Sequence, residues 1–351
     1  MRMIPAALLL AVPALQPVVA ENAPSRPDVG QSRSFNDWIV GCDNLRACTA
    51  IGTTADGAAA IAYIKVHRQA GPEARPQVSV VFLPQVDTAE AVLDLELAGT
   101  DATLAVEHLN ARASDSYLAA PIGAADVGPF LDALLTGDAL RVGDGTKGET
   151  APVSLRGMSA ALRYMDAEQG RAGGVTAIVA KGAAPADAVA KPAASAPARA
   201  LKLVALDPAP PLPQGIPAPS DECPDGIEPE AYEASNGTRI FGSCSFSGAY
   251  NFGVDYWLSD ATGVRPLDFR IPGQPGSDAF AGLVNAGLDE HGLTLIDFSK
   301  GWGIGDCGST SSWSFDGETF QLVGLSSMGE CRGVSASDWP VLYTRAISAE
   351  E

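Results

Sequence analysis

The chain has 351 residues, with 23 Lys and Arg against 42 Asp and Glu and a formal net charge of −19. Phosphate binding is driven by Lys and Arg releasing counterions, so this balance excludes a nucleic-acid partner and disfavours adsorption to anionic lipid. What the charge offers instead is solubility, or attraction for a cationic partner. The length exceeds what one hydrophobic core usually serves and predicts two domains.

Residues 1–20 read as a secretory signal peptide. Arg2 gives the positive start, Ile4 to Leu15 an apolar core broken by Pro5 and Pro13, and Val18-Val19-Ala20 the small-residue cleavage pattern. No later run approaches the roughly 20 apolar residues of a spanning helix, so the mature protein is expected to be soluble and periplasmic or secreted, with no transmembrane segment.

Residues 21–180 form the first domain. It opens on FNDWIVGCDNLRACTAIG, where short apolar stretches flank a cysteine-closed turn. Strands are predicted over 60–67, 77–83, 91–97 and 103–106 from their β-branched content and spacing. Two helices interrupt them. Residues 127–136 carry Phe130, Leu131, Leu134 and Leu135 at helical spacing and stop at Gly137. Ser154 can cap a second, with Leu155, Met158, Leu162 and Met165 on one face before Gly170; both methionines belong to the core by that cadence.

Residues 181–220 are dominated by Ala and Pro and read as an extended, semi-rigid linker. Within it, the alternation of Leu201 to Leu206 is that of a strand able to join either neighbour. Residues 221–351 form a second domain of strands and glycine-rich turns, predicted at 239–241, 250–258, 293–298, 312–315, 319–325 and 341–344, with a helical turn near 279–286. Asp316-Gly317 is a hairpin signal. The fold class is therefore mainly β, with α+β character in the N-terminal domain: two disulfide-stapled β domains, the second a β-meander, joined by an Ala/Pro-rich linker.

The six cysteines fall into three local pairs, Cys42 with Cys48, Cys223 with Cys244, and Cys307 with Cys331. In an exported chain these read as disulfides, and no C-x-x-C spacing suggests zinc.

Chemistry is scarce. No Ser sits in a nucleophile turn, and His67, His108 and His291 are isolated. The stretch KGWGIGDCG has the glycines of a phosphate loop but lacks the helix that would receive a phosphate. No cofactor and no resident metal are expected; Ca²⁺ is the one ion for which Asp306, Asp316, Glu318, Glu330 and Asp338 offer donors, without the spacing of a dedicated loop. Asp306 and Glu330 are the weak catalytic candidates, held near each other by the third disulfide and able to divide acid and base roles. Lys300, Trp302, Asp306, Tyr250 and Asn251 are the ligand-binding candidates, and Trp257, Trp313 and Trp339 are further aromatics that stack on a ligand or pack the core.

The blocks FNDW-x-x-x-CDN-x-x-x-C, SLRGMSAALRYMDAEQGRAGG, CSFSGAYN, KGWGIGDCG and MGECRG, in this order, resemble the exported bacterial family numbered 1176 among the domains of unknown function. The N-terminal half also resembles the invasion-associated locus B proteins through its W…C…C opening and its S-L-x-G…D…Q-G-R segment. The resemblance implies a periplasmic, mostly β protein with no established activity, and it transfers no catalytic residue. At Trp302 this chain departs from the K-G-R-G that the family pattern carries. The expected function is a binding or interaction module of the cell envelope, its partner a protein, glycan or small ligand. The alternatives are a carboxylate-dependent hydrolase or an inert structural envelope protein.

Overall fold

The structure is a computed structural model that describes residues 29–350 apart from 56–60, 85–87, 115, 146–149 and 272–280. The expected signal segment at 1–20 lies outside the described residues.

The first half of the chain forms one antiparallel sheet. Its strands are β1 (Ser32–Phe35), β2 (Trp38–Cys42), β3 (Cys48–Gly52), β4 (Ala62–Arg68), β5 (Gln77–Phe82), β6 (Glu90–Ala98), β7 (His108–Ser114), β8 (Tyr117–Pro121), β9 (Ala139–Gly143) and β10 (Ala151–Ser154), with helices α1 (Val127–Leu134) and α2 (Met158–Glu168). They lie in the order β1-β2-β3-β4-β5-β8-β7-β6-β9-β10. The far edge returns to β2 and the end of β3: the Ser154 N–H donates to the Thr53 carbonyl at 2.9 Å, and the Trp38 indole donates to the Ser154 carbonyl at 2.9 Å. Gly52 makes room for that indole, since a Cβ there would meet the ring at 2.4 Å.

Strand alternation sends the two faces to different partners. Trp38, Val40, Ile64, Val66, Val78 and Val80 face inward onto Phe130 and Leu134 of α1 and Leu162 and Met165 of α2. Ile39, Ile51, Tyr63 and Val81 face outward, and Met328, Val334 and Trp339 from the other half of the chain cover them. The sheet is thus buried on both sides where β2 to β5 run.

The second half contains β11 (Ala198–Leu201), β12 (Leu203–Ala205), β13 (Glu230–Ala234), β14 (Arg239–Ser247), β15 (Phe252–Asp260), β16 (Gly263–Pro266), β17 (Leu283–Val284), β18 (Gly287–Leu288), β19 (Leu295–Lys300), β20 (Gly308–Phe315), β21 (Phe320–Met328), β22 (Val341–Thr344) and β23 (Ile347–Glu350). Two successive meanders result, β12 to β16 with β17 added beside β15, and β18 to β22. They enclose a shared core that includes Tyr232, Ile240, Tyr256, Leu258, Trp313, Phe315, Leu322 and Leu325. Within the Ala/Pro-rich stretch, β12 pairs with β13 and β11 runs parallel to β23.

The molecule is mostly β, built from several sheets, and its cysteines form the disulfides Cys42–Cys48, Cys223–Cys244 and Cys307–Cys331. The hairpin at Asp316-Gly317 is present: Gly317 has φ 107°, and Asp316 Oδ1 accepts the Glu318 and Thr319 N–H groups at 2.9 and 2.8 Å.

Three local expectations are corrected. Residues 103–106 form no strand; Leu104 and Val106 instead pack from a loop against the first core. Ser154 does not cap α2, because Gly157 at φ 96° separates them; the Ser154 hydroxyl donates to Asp37 Oδ2 at 2.7 Å. No side chain is tolerated at Gly157, where a Cβ would lie 1.7 Å from the Phe35 carbonyl oxygen. The helical turn expected at 279–286 is strand β17 at 283–284, paired with Gly253 and Val254, while 279 and 280 lie outside the described residues. Among the described residues, no helix is long and apolar enough to cross a membrane.

Candidate ligand-binding cleft

The KGWGIGDCG corner links β19 to β20. Trp302 and Ile304 protrude at its tip, 60% and 73% exposed, and the Tyr250 hydroxyl donates to the Gly301 carbonyl at 3.3 Å. Asn251 holds the base of the corner, accepting the Lys300 N–H at 3.0 Å and donating to the Lys300 carbonyl at 2.9 Å. Its carboxamide is therefore committed within the fold, as is that of Asn285, which donates to Asn251 Oδ1 and to the Phe298 carbonyl. The Lys300 ammonium lies 5.5 Å from the centroid of the Phe298 ring.

The carboxylates around the third disulfide serve the seam between the two halves. Glu330 accepts from the Ser34 hydroxyl and from Arg332 Nε at 2.9 Å. Partial burial works against its charge, but Ser34 and Arg332 outweigh it and hold the carboxyl below the ordinary range. Asp306 is buried and accepts the Gly333 N–H at 2.8 Å on Oδ2, its Oδ1 being enclosed without a partner. Asp338 accepts from the Tyr63 hydroxyl at 2.7 Å and pairs with Lys65, and Tyr117 donates to the Gly333 carbonyl at 2.7 Å. Asp316 is spent on its own turn and on Gln321, 2.6 Å away. Trp313 and Trp339 are core residues, 5% and 2% exposed, and Trp257 packs beside Phe241.

A concave feature lies elsewhere. A cleft of about 880 Å³ opens between the two meanders, lined by Phe246, Phe269, Leu283 and Arg270 on one side and by β19, β20 and β21 on the other. Register explains its chemistry. Asp297 pairs with Ser311, Ser299 with Ser309, and Ser309 with Ser327, so alternation brings a carboxylate and four hydroxyls to one face of three adjacent strands. Ser311 accepts the Trp313 indole N–H at 2.8 Å, and Ser327 donates to the Gly308 carbonyl at 3.1 Å. The Ser299 and Ser309 hydroxyls have no hydrogen-bond partner among the described residues. Asp297 accepts the Val284 N–H at 2.6 Å on Oδ1, and burial pushes its carboxyl up to about 6. Phe246 and Phe269 are the aromatic residues of its lining, and Phe269 is backed by Trp313, which it meets edge-on at 5.3 Å, and by Phe320, tilted against it at 5.0 Å.

None of the residues singled out in the sequence contributes the polar groups of this cleft. The signal was present as S-x-S alternation in GSTSSW and D-x-S in IDFS, but it becomes visible only once these strands are paired.

The D…Q-G-R segment also acquires a role. Arg68 and Asp166, both fully buried, form an ion pair at 2.7 Å. Asp166 further accepts the N–H groups of Ile178, Val179 and Ala180, while Gln169 donates to the Arg46 and Arg68 carbonyls. Arg171 reaches the Gly71 carbonyl and Thr176. This cluster ties α2 to the end of β4 and to the loop that follows the helix.

These features define a disulfide-stapled β protein whose two halves share a buried seam and whose second half carries a polar-walled cleft. The chain belongs to the family described as protein of unknown function DUF1176, whose model matches residues 32–346. It is similar to the uncharacterized protein YpfG of Escherichia coli (strain K12), with 28% identity over 332 residues that span 89% of this chain and 92% of that protein. No solved structure matches.

Proposed function

We propose that this is an exported, periplasmic binding protein that takes a small ligand in the cleft between its two C-terminal meanders. The observation that carries the reading is the pair of unpartnered hydroxyls, Ser299 and Ser309, beside the Asp297 carboxylate in a cavity of about 880 Å³. Ligand sites are typically concave, largely apolar, and furnished with a few convergent polar groups of this kind. The disulfides suit an oxidising compartment. In this reading the N-terminal half serves as a scaffold, since its D…Q-G-R segment is spent on a buried network. The paired-carboxylate hydrolase draws no support from the geometry: Glu330 is engaged by Ser34 and Arg332, and Asp306 by Gly333.

A thermal-shift screen of small polar and amphiphilic compounds tests the reading on the wild type and on Ser309→Leu, which fills the cleft. A ligand at a hundred times its dissociation constant stabilises the native state by about 2.7 kcal/mol. Compounds that raise the wild-type Tm and leave the variant unmoved support the proposal; equal shifts in both proteins, or none in either, overturn it.

A further inference from the structure

The same cleft specifies the charge of its ligand, and this step rests on the reading above. We propose that the cleft selects small organic cations, seating an ammonium group against Asp297 and Ser299 with the apolar body of the ligand over Phe269.

Asp297 is the carboxylate of the cleft wall and has no cationic partner among the described residues. Its Oδ1 takes one backbone N–H, and no donor among the described residues meets Oδ2. Arg270, the cation at the rim, is already forked onto Asp268 through Nε and Nη2 at 2.9 and 2.5 Å. Burying a carboxylate without a counter-charge is costly unless something else supplies one, and here burial holds the group near the point of neutralising itself. An incoming ammonium supplies the missing charge and offers three donors. Ser299 and Ser309, neighbours of Asp297 on the same face, can accept the remaining two. Aromatic walls suit such a ligand twice over, as apolar surface and through the negative ring face that attracts cations. A net charge of −19 concentrates cations around the molecule and disfavours anionic competitors.

The titratable and charged groups near Asp297 are few. Tyr256 of β15 senses its charge and donates to Glu230 at 2.8 Å; Arg270 with Asp268 stands at the rim; Lys300, on its own strand, turns to the Phe298 side. The faces of β20 and β21 that line the cleft beside it present serines and apolar side chains.

Calorimetric titration of the full-length mature protein with 2-phenylethylammonium and with 2-phenylethanol, which differ only in the ammonium and hydroxyl groups, tests the inference. The amine should bind about tenfold or more tightly than the alcohol at pH 7.5. Asp297→Asn should bring the two within about threefold while preserving alcohol binding. With Asp297 titrating near 6, the wild-type amine affinity should also fall about tenfold between pH 7.5 and 5, because only the ionised fraction is competent. That pH series on the wild type keeps the test valid even if the variant fails to fold. Equal affinity for the two probes, a variant that retains the amine preference, or a flat pH profile overturns the charge selection while leaving the cleft as a binding site. Failure of both probes to bind overturns the charge selection, and if the compound screen is silent as well, the binding reading falls with it.

Discussion

Replacing Asp166 with Ala puts the buried network of the first half to the sharpest test. The substitution leaves Arg68 fully enclosed without its counter-ion and strips the N–H groups of Ile178, Val179 and Ala180 of their acceptor. Breaking a buried pair by removing one partner costs about 3–5 kcal/mol, and each buried donor left unsatisfied costs about 1–3 kcal/mol more where water cannot reach it. Taking the pair alone with one orphaned donor gives a loss of about 4–8 kcal/mol, comparable to the whole stability of a typical domain. Arg68→Met should cost less, because Asp166 keeps its three backbone donors and the thioether fills part of the space. Urea unfolding followed by far-UV circular dichroism measures both. The expected result is a midpoint for Asp166→Ala far below that of Arg68→Met, or no folded population at all. A loss under about 1 kcal/mol for Asp166→Ala, or the reverse ranking, would refute the reasoning that the Asp166 carboxylate organises the loop after α2.

Three further outcomes are expected. Trp339→Ala opens the seam where the indole covers Ile39, Tyr63 and Val81 and should lower stability by about 3–5 kcal/mol, read as a drop in Tm with the Cys307–Cys331 disulfide intact. Asp297→Asn should stabilise the ligand-free protein. A carboxyl raised from 3.8 to about 6 in the fold binds more protons native than unfolded, so stability is full below the unfolded pKa and is lost as pH rises through the folded one. The upper limit from that shift is about 3 kcal/mol, which the solvent open to the cleft reduces to about 1–2 kcal/mol at pH 7.5, vanishing at pH 4; equal Tm values for variant and wild type at pH 7.5 would contradict it. Replacing Cys223 and Cys244 with Ser removes a staple across 21 positions and should cost about 3 kcal/mol by the loop-entropy relation, detectable as a lower urea midpoint.

Patterns confined to one strand or one helix were legible in the sequence. The three disulfides, α1 and most long strands follow from apolar periodicity and cysteine proximity. What escaped depends on contacts between distant segments. β10 is a short edge strand containing Pro152, admissible there because an edge N–H need not pair. β7 carries Ala and polar residues with little β-branched content, and its membership is decided by β6 and β8 on either side. The cleft was illegible for a related reason: serines are ordinary in strands, and only the register Ser299–Ser309–Ser327 makes them a surface. The KGWGIGDCG corner is conspicuous by composition and lends Gly301, Cys307 and Gly308 to the cleft lining, whereas the polar side chains that meet the cavity, Ser299 and Ser309, flank it in the sequence.

The outward face of β2 to β5 bears on how the protein is made. Its buried residues are all present once residue 81 has been synthesised, yet the buried residues that cover them begin at Met328. At about 5–20 residues per second, the nascent chain carries Ile39, Ile51, Tyr63 and Val81 uncovered for on the order of 10–50 s before its cover exists. A chain ending near residue 180 never receives that cover, and should bind 8-anilinonaphthalene-1-sulfonate and aggregate where the full chain does neither. Until the second half arrives, this face is the part of the nascent chain that a holdase would have to shield.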